Sequence, residues 1–258
     1  MPSNPNRRSS QIGKKLLPWL DVLAIGAWGI LLLKYWLTNK LNLLINPNYF
    51  GLVIAAATGL LVVSTFKAKE LLQHRGREMV TNIQHLSLFP PGWGSALLLT
   101  AAIFGFLVTP QVFASEKALQ RDVSELLGAT RVKPQAFRAS VPPEERSLVD
   151  WVRMLNVYPE PDRYQGSKVK VQGFVIHPPE LGKEHLLLAR FVITCCAADA
   201  YPVGLPVKLP ETSEQYPPDT WLEVEGQMTT EIIAGKRQLT IAAKSLRKIP
   251  QPKNPYSY

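Results

Sequence analysis

Cys195 and Cys196 are the only cysteines in the chain, they are adjacent, and Asp199 follows three residues later. Thiolates and a carboxylate are ligands for zinc or copper, and the histidines nearest to them in the chain, His177 and His185, complete a candidate set of five donors. Two neighbouring thiols are also a redox couple. A stable staple is the least compatible chemistry, because consecutive Cα atoms are about 3.8 Å apart and an ordinary disulfide prefers a longer separation. A bond between Cys195 and Cys196 would be strained, readily reduced and therefore more a switch than a brace. The bland alternative is structural: one cysteine packs as a small hydrophobe, the other is half exposed, and Asp199 caps the turn before Tyr201-Pro202. The spacing is not that of a C-x-x-C site, so metal, redox and structural readings all stand. If ITCCAAD were extended, the two thiols would point to opposite faces, and a shared metal would require the strand to break at the pair.

Compartment bears on that choice, since paired cysteines persist as thiols or disulfides according to the side of a membrane they face. Three apolar runs fall within the first 114 residues: Leu16–Leu37, Tyr49–Phe66 and Ser95–Ala114, the last with Pro110 near its end. Their length predicts about three membrane spans, near 16–37, 49–66 and 95–114. Trp19, Tyr35, Trp36, Tyr49 and Trp93 lie near the proposed ends, at headgroup level, while Trp28 is expected to pack between helices. Arg7, Arg8, Lys14 and Lys15 precede the first run, in a basic tail of residues 1–15. Lys67, Lys69, Arg75 and Arg77 follow the second, and only Lys40 separates the two. This asymmetry predicts a multi-pass protein of the cell (inner) membrane with a cytoplasmic amino terminus and an extracytoplasmic carboxy-terminal half.

The charge excess has the same origin. The chain carries +9, but 10 of its 29 Lys+Arg and only 3 of its 20 Asp+Glu lie before residue 115, leaving 19 against 17 beyond it. A near-neutral second half lacks the basic face that nucleic acid requires. Within the first span, Asp21 is read as a headgroup-level residue beside Lys14 and Lys15 rather than a functional intramembrane acid. Val112-Phe113-Ala114 before Ser115 resembles a signal-peptidase site, but the preceding run is long enough to serve as an anchor. Residues 67–91 are expected to form a surface amphipathic helix containing His74 and His85, whose spacing suits no metal.

Residues 115–146 are polar and proline-containing and read as a tether, helical around Leu119–Leu127. From Ser147 to Tyr258 a compact domain is expected. It begins with a helix capped by Ser147 and stopped by Pro159, followed by five strand-like segments. Gly173 and Gly226 fall inside strands, where a bulge or close approach is expected, and Ala234-Gly235 marks a hairpin. Five short strands of this kind point to a small all-β OB-like barrel joined to a membrane α-helical region. No nucleophile elbow or carboxylate pair accompanies His177 and His185, so hydrolase chemistry has no support.

The string R-F-x-I-x-C-C-A-A-D-A, here Arg190 to Ala200, with Pro202-Val203-Gly204 after it, resembles the YcgQ-like family of predicted permease subunits. The resemblance runs over essentially the whole chain. It implies an accessory subunit working with a separate multi-spanning permease in the lipid bilayer, in metal-ion handling, and it carries no enzymatic activity. It marks Arg190, Cys195, Cys196, Ala197, Ala198 and Asp199 as a shared patch.

Overall fold

The computed structural model describes residues 5–73, 92–119 and 142–258, with side chains from Leu16 onward. The segment carrying His74 and His85, and most of the expected tether, lie outside the described residues. The chain divides into two compact units, Met1–Pro110 and Gln111–Tyr258.

The first unit is helical: α1 (Pro5–Leu37), α2 (Phe50–Gln73) and α3 (Trp93–Leu107). Two stretches, Leu16–Leu37 and Pro47–Gln73, are long and apolar enough to cross a membrane. The third run is shorter than the sequence leads one to expect. With 15 residues, α3 is about 22 Å long at 1.5 Å per residue, below the roughly 30 Å of a bilayer core. It stops at Leu107 with Val108 already extended, and Pro110 cannot donate a helical hydrogen bond.

Polar side chains hold this unit together through carbonyls that an apolar medium would otherwise leave poorly served. Ser64 Oγ donates to Val22 O at 3.0 Å, and Trp28 Nε1 donates to Leu98 O at 2.9 Å. Lys34 Nζ donates to Phe106 O at 3.1 Å, and Tyr35 Oη donates to Gly105 O. Asp21 accepts from the Ser95 hydroxyl, giving the acid a partner on α3. Gly29 lets α1 and α2 approach closely, since a Cβ there would lie 2.8 Å from Leu61 and 3.1 Å from the Ala57 carbonyl oxygen.

The second unit begins at Gln111, well before the expected boundary at Ser147. A short helix, α4 (Ser115–Leu119), precedes α5 (Leu148–Val157). The expected cap is present on α5: Ser147 Oγ accepts from Asp150 N at 3.2 Å, and the Asp150 carboxylate accepts from Ser147 N at 3.1 Å. This reciprocal box fixes the helix start and turns Leu148, Val149, Trp151 and Val152 into the core.

Six strands follow: β1 (Lys168–Ile176), β2 (His185–Val192), β3 (Tyr201–Lys208), β4 (Trp221–Ile233), β5 (Lys236–Lys248) and β6 (Tyr256–Ser257). They form one sheet in the order β1-β4-β5-β3-β2-β6, and β1 also pairs with β2, so the pairings of the first five strands form a circuit. All are antiparallel except β3 with β5 and β2 with β6. Val169, Val171 and Val175 of β1 share the core with Leu186, Leu188, Leu205, Val207, Leu222, Val224 and Ile241 from the other strands. Ala234 and Gly235 both take positive φ, 50° and 74°, as a two-residue hairpin turn of mirror type requires.

The opposite side of β1 and β2 carries a second apolar layer. Phe174 stacks on Phe191 at 5.4 Å, and Trp221 packs beside Phe174. Phe113 and Tyr256 close over Phe191, with the Phe113 N–H donating to the Tyr256 hydroxyl at 3.1 Å. Residues just after Pro110 are therefore built into the β unit.

One charged cluster on the sheet gives a pH-dependent expectation. Glu223 accepts from Arg247 at 2.6 Å and from Gln172 at 2.9 Å, and these partners hold its carboxyl below the usual carboxylate range. A carboxyl whose value is lower folded than unfolded stabilises the fold above its unfolded value, about 4.3, and this contribution disappears as pH falls through the folded value. Glu223→Gln is accordingly expected to lower the urea midpoint of the β-unit transition at neutral pH and to match the parent in strong acid. An equal gap at both pH values would refute this.

Candidate functional site: the adjacent-cysteine loop

Strand β2 ends at Val192 rather than continuing through the cysteines as the sequence pattern predicts. Val192 pairs with Tyr201, so residues 193–200 form the loop that joins β2 to β3. Ile193 N–H donates to Ser257 O at 2.9 Å, which spends the next ladder position on the C-terminal segment. The Asp199 carboxylate then accepts from Thr194 N at 3.0 Å and from Cys195 N at 2.6 Å. In return Asp199 N–H donates to Cys196 O at 3.0 Å, and Ala197–Asp199 makes a single 3-10 turn. Asp199 is thus the residue that folds the loop, and it reaches back to the backbone before the cysteines rather than forward to Tyr201-Pro202.

Both cysteines are free, Cys195 exposed and Cys196 half-exposed. Neither is a core residue, which corrects the expectation that one of them packs as a small hydrophobe. The strand break resolves the alternation constraint, because Cys195 lies close enough to Cys196 for a hydrogen bond between the two side chains. Partial withdrawal from water, then the Cys196 sulfur and the Asp199 carboxylate, push the Cys195 thiol up. Since the thiolate is the reacting species, Cys195 is expected to alkylate more slowly at neutral pH than a free cysteine, which titrates at about 8.5. Its rate with iodoacetamide should keep climbing at pH values where a free thiol has levelled off. A plateau at or below the free-cysteine value in a mass-resolved pH–rate profile would overturn this.

The five-donor set expected from sequence is not assembled. His185 opens β2 and the cysteine loop follows its far end, so the seven steps from His185 to Val192 separate them by about 23 Å at roughly 3.3 Å per residue. His185 Nε2 is 2.7 Å from the Glu231 carboxylate, which also takes Lys208 Nζ at 2.6 Å. His177 follows β1, whose Ile176 pairs with Leu187, and so belongs to the same end as His185. Its Nε2 meets Tyr216 O at 2.7 Å in an open groove of about 550 Å³ walled by Pro178, Pro179, Pro217 and Pro218. Among the described residues no group of three or more His, Cys, Asp or Glu is arranged to hold a metal ion.

Arg190, the first residue of the marked patch, donates to Asn254 O at 2.9 Å and lies 5.7 Å over the Trp221 ring. Burial pulls its guanidinium below the ordinary value, opposed by Tyr258. These contacts reach the C-terminal segment and the aromatic layer, so Arg190 secures β6 against β2. Sequence reasoning misses this segment. Its two-residue strand carries no alternation, and the one clue is the aromatic pair Tyr256 and Tyr258 in an otherwise polar tail.

These features define an all-β domain with a pinned, thiol-bearing loop, preceded in the chain by two helices of membrane-spanning length. Residues 144–258 match the DUF1980 C-terminal domain, a family without an assigned activity, and the match takes in α5 and all six strands. Neither a curated protein nor a solved structure matches the chain.

Proposed function

We propose that this chain is an accessory subunit of a membrane permease, of the YcgQ-like kind, whose extracytoplasmic β domain docks on or gates a separate multi-spanning partner. In this reading the helices anchor the subunit with its basic tail in the cytoplasm, α3 completes a third, short crossing, and the β domain is an OB-like barrel. The circuit β1-β2-β3-β5-β4-β1 with a parallel β3–β5 contact supports the barrel. Leu187, Ala189, Phe191, Pro202, Gly204 and Pro206, on the strands with which OB folds commonly bind ligands, are buried. The observation that carries the reading is the pinned, exposed cysteine loop at one end of this domain, a surface suited to contact rather than turnover.

The test is made in intact cells. A membrane-impermeant maleimide is expected to label Cys195 without lysis, and a photo-crosslinker attached there is expected to give one discrete adduct containing a multi-spanning protein. Labelling only after lysis would sink the topology, and diffuse adducts would sink the docking.

A second reading, ion binding through Cys195 and Cys196, is favoured by one observation: the two free side chains are within hydrogen-bond reach of each other.

A further inference from the structure

Resting on that second reading, we infer that Cys195 and Cys196 form a two-sulfur site for a thiophilic ion that accepts bent coordination, of which trivalent arsenic is the type, and not a four-donor zinc or copper centre. Three observations lead there. The thiols are adjacent, free and close enough to hydrogen-bond, so both can face one small ion from the same side. The other donors considered are engaged: Asp199 accepts two backbone N–H groups, His177 is on the Tyr216 carbonyl, and His185 is on Glu231 about a strand length away. Among the described residues no third ligand joins the pair.

That inventory selects by coordination chemistry. Zinc wants four ligands in a tetrahedron and usually draws at least three from the protein. Soft thiolate donors favour soft ions. An ion that holds two ligands on opposite sides in a line needs its sulfurs spread apart, whereas a pyramidal trivalent centre takes two sulfurs that lie side by side. Asp199 contributes by fixing the loop rather than by ligation. With As(OH)₃ the step is a substitution without redox change. Two S–H and two As–O bonds break, two As–S bonds form, and two waters leave, with one hydroxyl kept on arsenic. Cys195 is exposed, so the ion reaches the pair without opening the fold.

The experiment uses the full chain in detergent micelles, purified without chelator or reductant, with phenylarsine oxide as the probe. One equivalent should bind, both titratable thiols should vanish together, and one water should be lost in the mass balance. Cys195→Ser and Cys196→Ser should each weaken binding by on the order of a hundredfold, since the second As–S bond is intramolecular only in the parent. Asp199→Asn, with both thiols retained, should weaken it less by loosening the loop. Circular dichroism confirms that each variant is folded. Binding of the parent no tighter than that of either serine variant would overturn the inference, as would a pair isolated as a disulfide. Elemental analysis of the same preparation separates the two levels: stoichiometric zinc or copper lost in the serine variants would leave ion binding standing while removing the two-sulfur assignment, and loss of both would remove the ion-binding reading itself.

Discussion

Gly226→Val is expected to prevent the β domain from folding. A Cβ at this position would lie 2.1 Å from the Ala242 carbonyl oxygen, 3.0 Å from its carbon and 3.1 Å from the Ala243 Cα. All three are backbone atoms of the paired strand, which no side-chain rotation can move aside. The clash occurs where β4 and β5 shift register, between Glu225↔Ser245 and Gly226↔Ala243, so the glycine permits the bulge that bends two 13-residue strands. Separating the strands here costs several kcal/mol, against a total domain stability of about 5–15 kcal/mol. The expected results are loss of near-ultraviolet dichroism and rapid proteolysis within residues 142–258. Gly182→Ala, where an added Cβ meets nothing within 4 Å, serves as the control and should melt like the parent. A Gly226→Ala protein with an unchanged urea midpoint would show that the bulge is misplaced.

Trp151→Ala carries the second large effect, a loss of about 3–5 kcal/mol, typical for removing a buried aromatic. The side chain is 0% exposed, meets the Tyr164 ring edge-on at 6.0 Å and lies under the Arg146 guanidinium at 5.0 Å. It is the residue by which α5 enters the core, so the cavity would open between helix and sheet, where rigid strands limit collapse. Its Nε1 has no hydrogen-bond partner among the described residues, so Trp151→Phe forfeits volume and no hydrogen bond and should cost distinctly less. Urea unfolding of the full chain followed by near-ultraviolet dichroism distinguishes the three proteins. Equal midpoints for Trp151→Ala and Trp151→Phe would mean that ring packing is not what holds α5.

The contrast between these residues and the cysteine loop shows what can be read in advance. Gly226 is legible because glycine inside an alternating strand has few explanations, and Ser147 because a cap before an apolar face has a local cause. The five longer strands are legible for the same reason, that alternation is a local signal. Phe113 is not, because an aromatic at the end of an apolar run looks like more of that run until Tyr256, 143 residues later, meets it. The donor set fails for a related reason. His185 and Cys195 are ten positions apart in the sequence, which a turn could close, but β2 holds most of that interval extended. Asp199 stands out by residue type, yet its partner does not, since type does not reveal which way a carboxylate turns.

The Phe113–Tyr256 contact also has a mechanical meaning. The chain leaves α3 at Leu107 and enters the β domain by Gln111, so any pull along it arrives first at Phe113. There the load meets a ring packed on Phe191 and Tyr256, and Tyr256 passes it to β2 through the parallel β6–β2 pairing. Ile193, the residue that leads into the thiol loop, hangs on the same short strand through Ser257. Strain in the anchoring segment is therefore transmitted to the base of the cysteine loop by a few aromatic contacts and hydrogen bonds, making this corner of the domain the place where a tug on the helices would first be felt.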